Sequence, residues 1–266
     1  MPEIIYKYES FSAQSLKNLK AQSIYFGSPL GFNDPYDCAL SAGIAIPTDE
    51  ELDTLKSEYQ NSNSVPENVK KQFAETGHDK LRDIVVRSTH KILESHARDF
   101  LKTRGVSCFS ECNDDLLMWS HYGGKYKGFC LAFSTKFEPF SKMVKVKYTR
   151  TMPKINAIKA LLNDNFDEML DLFCTKSKSW EYEKEWRCMH EQAGTLYTYE
   201  ADALESVYFW PDIDSNSLEI VCLILAGQNQ NVRFWRGNRS QERFEVIFEE
   251  FTYTSYLEAK RRGRVT

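Results

Sequence analysis

The chain has 266 residues, 42% of them hydrophobic and 27% charged, which suffices for one sizeable core and one to two domains. Lys and Arg number 34 against 38 Asp and Glu, a net charge of −4, which argues against a bulk electrostatic grip on nucleic acid and leaves only a local basic patch. No apolar run approaches the roughly 18–20 residues of a membrane span, and Met1–Tyr8 has neither a basic n-region nor a signal-peptide core, so a globular cytoplasmic protein with no membrane association is expected.

Ile4–Tyr8 reads as a short strand. Ser12–Lys20 reads as a helix, with Leu16 and Leu19 on one face and Ser12 as its cap, and Ser23–Phe26 as a second strand. Gly27–Asp37 is turn-dense, and Pro35 bars a helical conformation at Asp34. Thr48–Lys102 is the polar half. Thr48-Asp-Glu-Glu51 signals a helix start, Asn61–Ser64 breaks that helix near Gln60, Pro66 restarts one, and Gly77 interrupts it. His78–Thr103 then carries Leu81, Ile84, Val85, Ile92 and Leu93. The segment is too polar for an independent core, so 48–102 reads as a helical insertion or cap on a single domain spanning 1–266.

Val106–Phe109 and Gly128–Phe133 read as buried strands, with a short helix, Asp114–His121, between them and Asp114 or Asn113 as its cap. Met143–Tyr148 alternates like a half-exposed strand, and Lys154–Lys176 has the spacing of an amphipathic helix. Trp186–His190 and Thr195–Tyr199 suit a hairpin around Ala193-Gly194. Val207–Trp210, Glu219–Ala226 and Phe244–Phe248 read as further strands. With no regular βα alternation, the class is α+β rather than doubly wound or barrel.

Three clusters are too polar for core and too aromatic for loop: Phe32–Cys38, Cys108–Glu111 running on to Met118–Tyr122, and Trp180–Arg187. A tight Asn-Asp-Pro turn, core plugs at Trp119 and Trp180, and a solvated charged strand face would account for them structurally. Read as a strand, the third cluster sets Glu181, Glu183, Glu185 and Arg187 on one face. Carboxylates two residues apart repel one another unless a cation or ligand faces them. Glu-x-Glu is also the arrangement of a catalytic carboxylate with a helper. Asn33 or Asp34, Trp119 or His121, and Glu183 or Glu185 are therefore expected to line one cavity. The seven cysteines are scattered and read as reduced; Cys108-x3-Cys112 followed by His121 lacks the second ligand pair of a zinc site, so no metal is expected. Gly-rich phosphate loops, a Gly-x-Ser-x-Gly elbow and His-Glu-x-x-His do not occur.

Tyr6-Lys-Tyr8, Phe32–Cys38, Val106–Glu111, Met118–Tyr122 with Lys127–Leu131, and Lys178–Arg187 together resemble the bacterial family called domain of unknown function 2971. The likeness runs over nearly the whole chain and is thinnest over 48–102. More distantly, the order of an aromatic and basic strand, a helix, a strand ending in Ser110, and a late Glu-x-Glu resembles the ADP-ribosyltransferase superfamily. That resemblance implies a split, two-sheet α+β core with mixed or antiparallel strands holding NAD, the substrate, in a cleft. It makes Glu185 the catalytic carboxylate and Glu183 its helper. Tyr6 and Tyr8 would meet the ribose or phosphates, and Trp119 or Tyr122 would stack on nicotinamide, with Asn33, Asp34, Ser110, His121 and Arg187 completing the site. Where the uncharacterised family tends to carry a basic residue after Tyr-Lys-Tyr, this chain has Glu9, so the grip on pyrophosphate would fall to Lys7 or Arg187. The implied function is transfer of ADP-ribose to a protein or nucleic acid, or NAD hydrolysis, in a toxin or anti-phage effector held by an antitoxin or regulatory partner. The alternative is a non-enzymatic nucleotide or single-strand binding module. It rests on Val232-Arg-Phe-Trp-Arg236, Arg239 and Arg243, and on the Lys260–Arg264 tail.

Overall fold

The computed structural model describes residues 1–39, 42–162 and 166–263, with the backbone alone for residues 39 and 166–169. β1 (Ile4–Glu9) leads into α1 (Ala13–Lys20), whose Ser12 cap accepts the Ser15 N–H as its sequence expects. β2 (Ser23–Phe26) and β3 (Gly43–Ala45) follow. In the polar half, α2 (Asp49–Asn61) opens with a complete Thr48–Glu51 capping box, α3 (Glu67–Glu75) starts from Pro66, and α4 (His78–Thr103) follows Gly77. Next come β4 (Gly105–Ser110), α5 (Leu116–His121) and β5 (Phe129–Ser134). β6 (Val144–Lys145), β7 (Lys147–Thr149) and β8 (Lys154–Asn156) are short; α6 (Ala157–Leu162), α7 (Phe166–Phe173) and β9 (Thr175–Ser177) come after them. A 3₁₀ turn, Lys178–Glu183, precedes β10 (Glu185–His190). β11 (Thr195–Thr198), β12 (Leu204–Phe209), α8 (Ser215–Ala226), β13 (Arg233–Arg239), β14 (Val246–Phe251) and α9 (Tyr256–Arg261) complete the order.

Several sequence expectations need correction. Glu219–Ala226 is not a strand but the end of α8. Asp214 caps that helix by accepting the N–H groups of Asn216 and Ser217, and Leu218, Val221, Cys222 and Leu225 bury one face at helical spacing. α5 is capped by Asp115, whose carboxylate accepts from Leu117 and Met118, rather than by Asp114 or Asn113. Lys154–Lys176 is not one helix: it holds β8, α6, α7 and β9, and residues 163–165 lie outside the described residues. β10 and β11 do not pair as a hairpin, because β10 lies between β4 and β6 while β11 pairs with β2. Met143–Tyr148 breaks at Val146, whose N–H turns to the Glu185 carbonyl at 2.9 Å. The last strand starts at Val246, leaving Phe244 fully exposed.

The described residues form two compact units. The first comprises Met1–Ser28, Arg104–Val146 and Ser179–Thr266; the second comprises Pro29–Thr103 and Lys147–Lys178. Both mix strand and helix, so the α+β class holds. Among the described residues, the first unit carries one eight-stranded sheet in the order β14-β13-β12-β5-β1-β4-β10-β6. These eight strands form one continuous sheet, and β2 and β11 form a separate two-stranded one. Neighbours are antiparallel except β12 and β13, which α8 joins as a crossover. Gly128 lets β5 begin beside β1: a Cβ there would sit 2.1 Å from the Glu9 carbonyl oxygen.

The sheet of the first unit has two unlike faces. On one, Ile5, Phe109, Phe133, Trp186, Val207 and Phe209 pack with Leu19, Phe26, Val221 and Leu225 into the main core. Each fully buried aliphatic or aromatic side chain there stabilises by about 1.5–3 kcal/mol. On the other, Tyr8 and Cys130 pack under Met118 and Trp119 of α5, with Trp210 and Val246 alongside.

In the second unit, Leu52, Leu55, Leu81 and Val85 close over Ala157 and Ile158. The 48–102 segment alone has few apolar residues, and α6 completes the cluster. Among the described residues, no helix is long and apolar enough to cross a membrane.

Candidate functional site

Strand pairing aligns residues from distant parts of the sequence. Ser110 of β4 lies directly opposite Glu185 of β10 on one side and Tyr6 of β1 on the other. The row continues through Ala132 of β5 and Ser206 of β12 to Arg233 of β13. Directly opposed residues present their side chains to the same face, so Glu185, Ser110 and Tyr6 stand side by side on the face away from the main core.

Glu185 is anchored. Arg187, two residues along β10 on the same face, donates from Nε to Oε1 at 2.8 Å and from Nη2 to Oε2 at 3.2 Å. Arg187 is 0% exposed and Glu185 4%. A paired, two-bond guanidinium offsets much of the cost of burying a carboxylate so deeply. Cys108, opposite Arg187, lies within hydrogen-bond range of Glu185; burial first, and then the Glu185 charge, push its thiol well above the usual range.

Glu183 is placed differently from the sequence expectation. The alternating Trp-Glu-Tyr-Glu-Lys-Glu run does not form a strand before Glu185, so Glu181, Glu183 and Glu185 do not share a strand face. The 3₁₀ turn ends at Glu183, and Lys184, at φ +44°, turns the chain into β10. Lys184 donates its N–H to Glu181 and its carbonyl accepts from Glu111. The Ser110 hydroxyl donates to the Glu183 carbonyl at 2.7 Å and accepts the Cys112 N–H at 3.2 Å, tying the turn to the end of β4. The Glu183 carboxylate, in a residue 3% exposed, accepts from the Tyr122 hydroxyl at 2.6 Å. Ser110 thus meets the Glu183 backbone through its hydroxyl and Glu185 across the strand pair.

Neighbouring side chains divide into braces and an exposed rim. Tyr8 donates to the Cys112 carbonyl at 2.8 Å and packs edge-on against Trp119, 5.1 Å between centroids. Trp119 is fully buried and donates to the Asn113 carbonyl, so neither ring offers a free stacking surface. Burial pushes the Tyr8 and Tyr6 hydroxyls well above their ordinary range. His121 is exposed; its ring lies 6.2 Å from Trp180 and 6.4 Å from Tyr182. Glu111 ends the first part of the second cluster, where its sequence position suggests no role of its own. It accepts from Lys145 at 2.7 Å and from the Trp186 indole at 2.8 Å, and these bonds hold it below the usual carboxylate range although burial acts the other way. Lys7 and Glu9 belong to the other sheet face: Lys7 donates to Ser107 and lies 5.1 Å over Phe109. Neither the departure at Glu9 nor the proposed substitute Lys7 therefore bears on the Tyr6 face; Arg187 does.

Asn33 and Asp34 belong to the second unit. Asn33 is exposed; Asp34 is 7% exposed, accepts the Tyr36 N–H with Oδ1 and has Oδ2 buried without a partner. Nearby Asp37 faces Lys176 at 3.4 Å, both nearly buried. That unit also holds a surface cavity of about 590 Å³ along α4, from Ile84 to Glu94, which shares no residue with the Glu185 neighbourhood. Among the described residues, no group of three or more His, Cys, Asp or Glu side chains is disposed to hold a metal ion.

A family model described as protein of unknown function (DUF2971) matches residues 118–188. That stretch contains Trp119, His121, Tyr122, Glu183, Glu185 and Arg187, so the similarity to the uncharacterised family falls on the site's most polar residues. No curated protein and no solved structure matches the chain.

Proposed function

We propose that this chain consumes NAD, cleaving the nicotinamide–ribose bond and transferring ADP-ribose to a protein or nucleic-acid acceptor. One observation carries the reading: Tyr6, Ser110 and Glu185 lie in register on three adjacent strands, on one face. The ADP-ribosyltransferase resemblance assigned roles to these same three positions, from segments about a hundred residues apart. A buried Arg–Glu pair on its own can simply hold a strand end, and it is the aligned serine and tyrosine that favour a site.

In this reading Glu185 supplies a fixed negative charge facing the ribose as its anomeric carbon becomes cationic, as in glycoside cleavage. Nicotinamide leaves with the bonding pair. An acceptor nucleophile, or water, then bonds to the anomeric carbon and releases its proton. Arg187 keeps the carboxylate ionised and aimed. Glu183, held by Tyr122, takes that proton in this reading. The chain then belongs with NAD-consuming effectors used as cytoplasmic toxins or in anti-phage defence and restrained by a partner protein.

The test is incubation with NAD labelled in its ADP-ribose portion, with and without cell lysate. Label should pass to macromolecule or to free ADP-ribose, and Glu185→Gln should abolish this while its circular dichroism stays native. A wild-type chain that neither binds nor consumes NAD would sink the reading.

A further inference from the structure

Farther along the same sheet face lies another set of side chains, which meets the Glu185–Ser110–Tyr6 row where the Tyr208 ring packs edge-on against Tyr6, 5.9 Å between centroids. Tyr208 of β12 and Trp235 of β13 are directly paired and their rings stack, 5.8 Å between centroids and 14° from parallel. Both are half-buried, so the stack has an accessible side. The Arg233 guanidinium lies 5.8 Å from the Trp235 centroid, and Arg233 is exposed. Glu250 stands opposite Trp235 on β14. The Trp235 indole N–H is buried without an acceptor, as is that of Trp210, which packs in the same aromatic cluster as Tyr208. A buried indole donor ordinarily finds a partner, and leaving one unmade costs about 1–3 kcal/mol.

We infer that this Tyr208–Trp235 shelf is a binding site for a single purine mononucleotide, centred away from Glu185 and bordering the Glu185 row at Tyr6. The base stacks on the exposed side of the aromatic pair, Glu250 accepts from an exocyclic amine, and Arg233 meets the phosphate. Five inter-strand steps of about 4.8 Å separate β10 from β13, so the shelf lies roughly 24 Å along the sheet from Glu185. A lone nucleotide fits better than a nucleic-acid strand. Arg233 is the cation over the stack, Arg239 on the same strand is already paired with Asp212, and β14 presents the exposed Glu250 on this face, which repels a continuous polyanion.

The test is titration of the full chain with AMP, followed by tryptophan fluorescence and calorimetry, beside a ten-residue deoxyadenylate strand. AMP should bind saturably. Trp235→Ala, which removes the stacking face, should weaken it about tenfold, and Arg233→Gln several-fold. NAD consumption by both variants should stay at the wild-type level, which separates this site from the Glu185 reading. The inference is overturned if AMP does not bind, if both variants bind it as well as wild type, or if the strand binds tenfold more tightly than AMP.

Discussion

The two faces of the β1–β4–β10 region are made from alternate residues of the same strands, yet they obey different rules. On the core face, Phe109, Trp186 and Cys188 bury apolar surface with Ile5 and Phe133. On the other, Ser110, Glu185 and Arg187 are buried just as deeply, but as a serine and an ion pair. The first face suffices to hold three strands together. The second carries a desolvation penalty that an apolar pair of similar volume would avoid. The contrast teaches that burial alone does not say what a residue is for, and it is what makes the polar face the candidate site.

The largest effect should come from the core face. Phe133→Ala is expected to lower unfolding free energy by about 3–5 kcal/mol in urea denaturation while leaving NAD consumption per folded molecule unchanged. Arg187→Met should be similarly costly, about 3–5 kcal/mol, because it removes a guanidinium partner of a buried carboxylate. Replacing both members, Glu185→Met with Arg187→Met, should restore most of that stability and no activity. A double variant as unstable as the single one would make the pair an ordinary structural element and erase the contrast.

Smaller effects probe the turn. Tyr122→Phe removes the hydroxyl bonded to Glu183 and should cost about 1.5 kcal/mol, with a larger loss of transfer than of NAD hydrolysis. The smallest effect concerns Glu111, whose folded carboxyl is held below its ordinary value. Its contribution is complete above an unfolded glutamate value of about 4.3 and is lost as pH falls through the lower folded value. Glu111→Gln should therefore be less stable than wild type near neutrality, and the gap in urea midpoint should close as the pH drops below about 4. A gap independent of pH would mean that the Lys145 and Trp186 bonds do not depend on the carboxylate charge.

Much of the first unit is legible in sequence because its strands are short apolar runs bounded by turns, as at Ile4–Tyr8 and Gly128–Phe133. The capping box at Thr48 is equally plain, since its chemistry is local. What misleads is ambiguity of period. Ile220–Ala226 is apolar at every position, so periodicity cannot tell strand from helix; the deciding signal is Asp214 with Ser217, several residues upstream. Trp180–Glu185 alternates like a strand, yet Lys184 takes a left-handed conformation that nothing in its identity announces. The meeting of Tyr6, Ser110 and Glu185 is a matter of register between distant strands, and no local pattern encodes it. The Tyr208–Trp235 stack was half visible, in the alternating Arg and aromatic residues of β13. Its partner on β12 was not, because a parallel pair joined through α8 leaves no turn signal between the two strands.

β1 lies in the interior of the sheet, between β5 and β4, and Ile4 pairs with Ser134 some 130 residues later. On a ribosome, synthesis of that interval takes on the order of ten seconds. Until β4 emerges, β1 has both backbone edges open, and its β5 edge stays open to the end of the interval. The strand translated first thus waits for partners a hundred residues and more away, and the sheet closes by long-range pairing, the slow route to a native topology. During that interval a chaperone, or the β5 of a neighbouring nascent chain, competes for the same hydrogen bonds. The yield of folded protein should then depend more on how crowded the polysome is than on the final stability of the sheet.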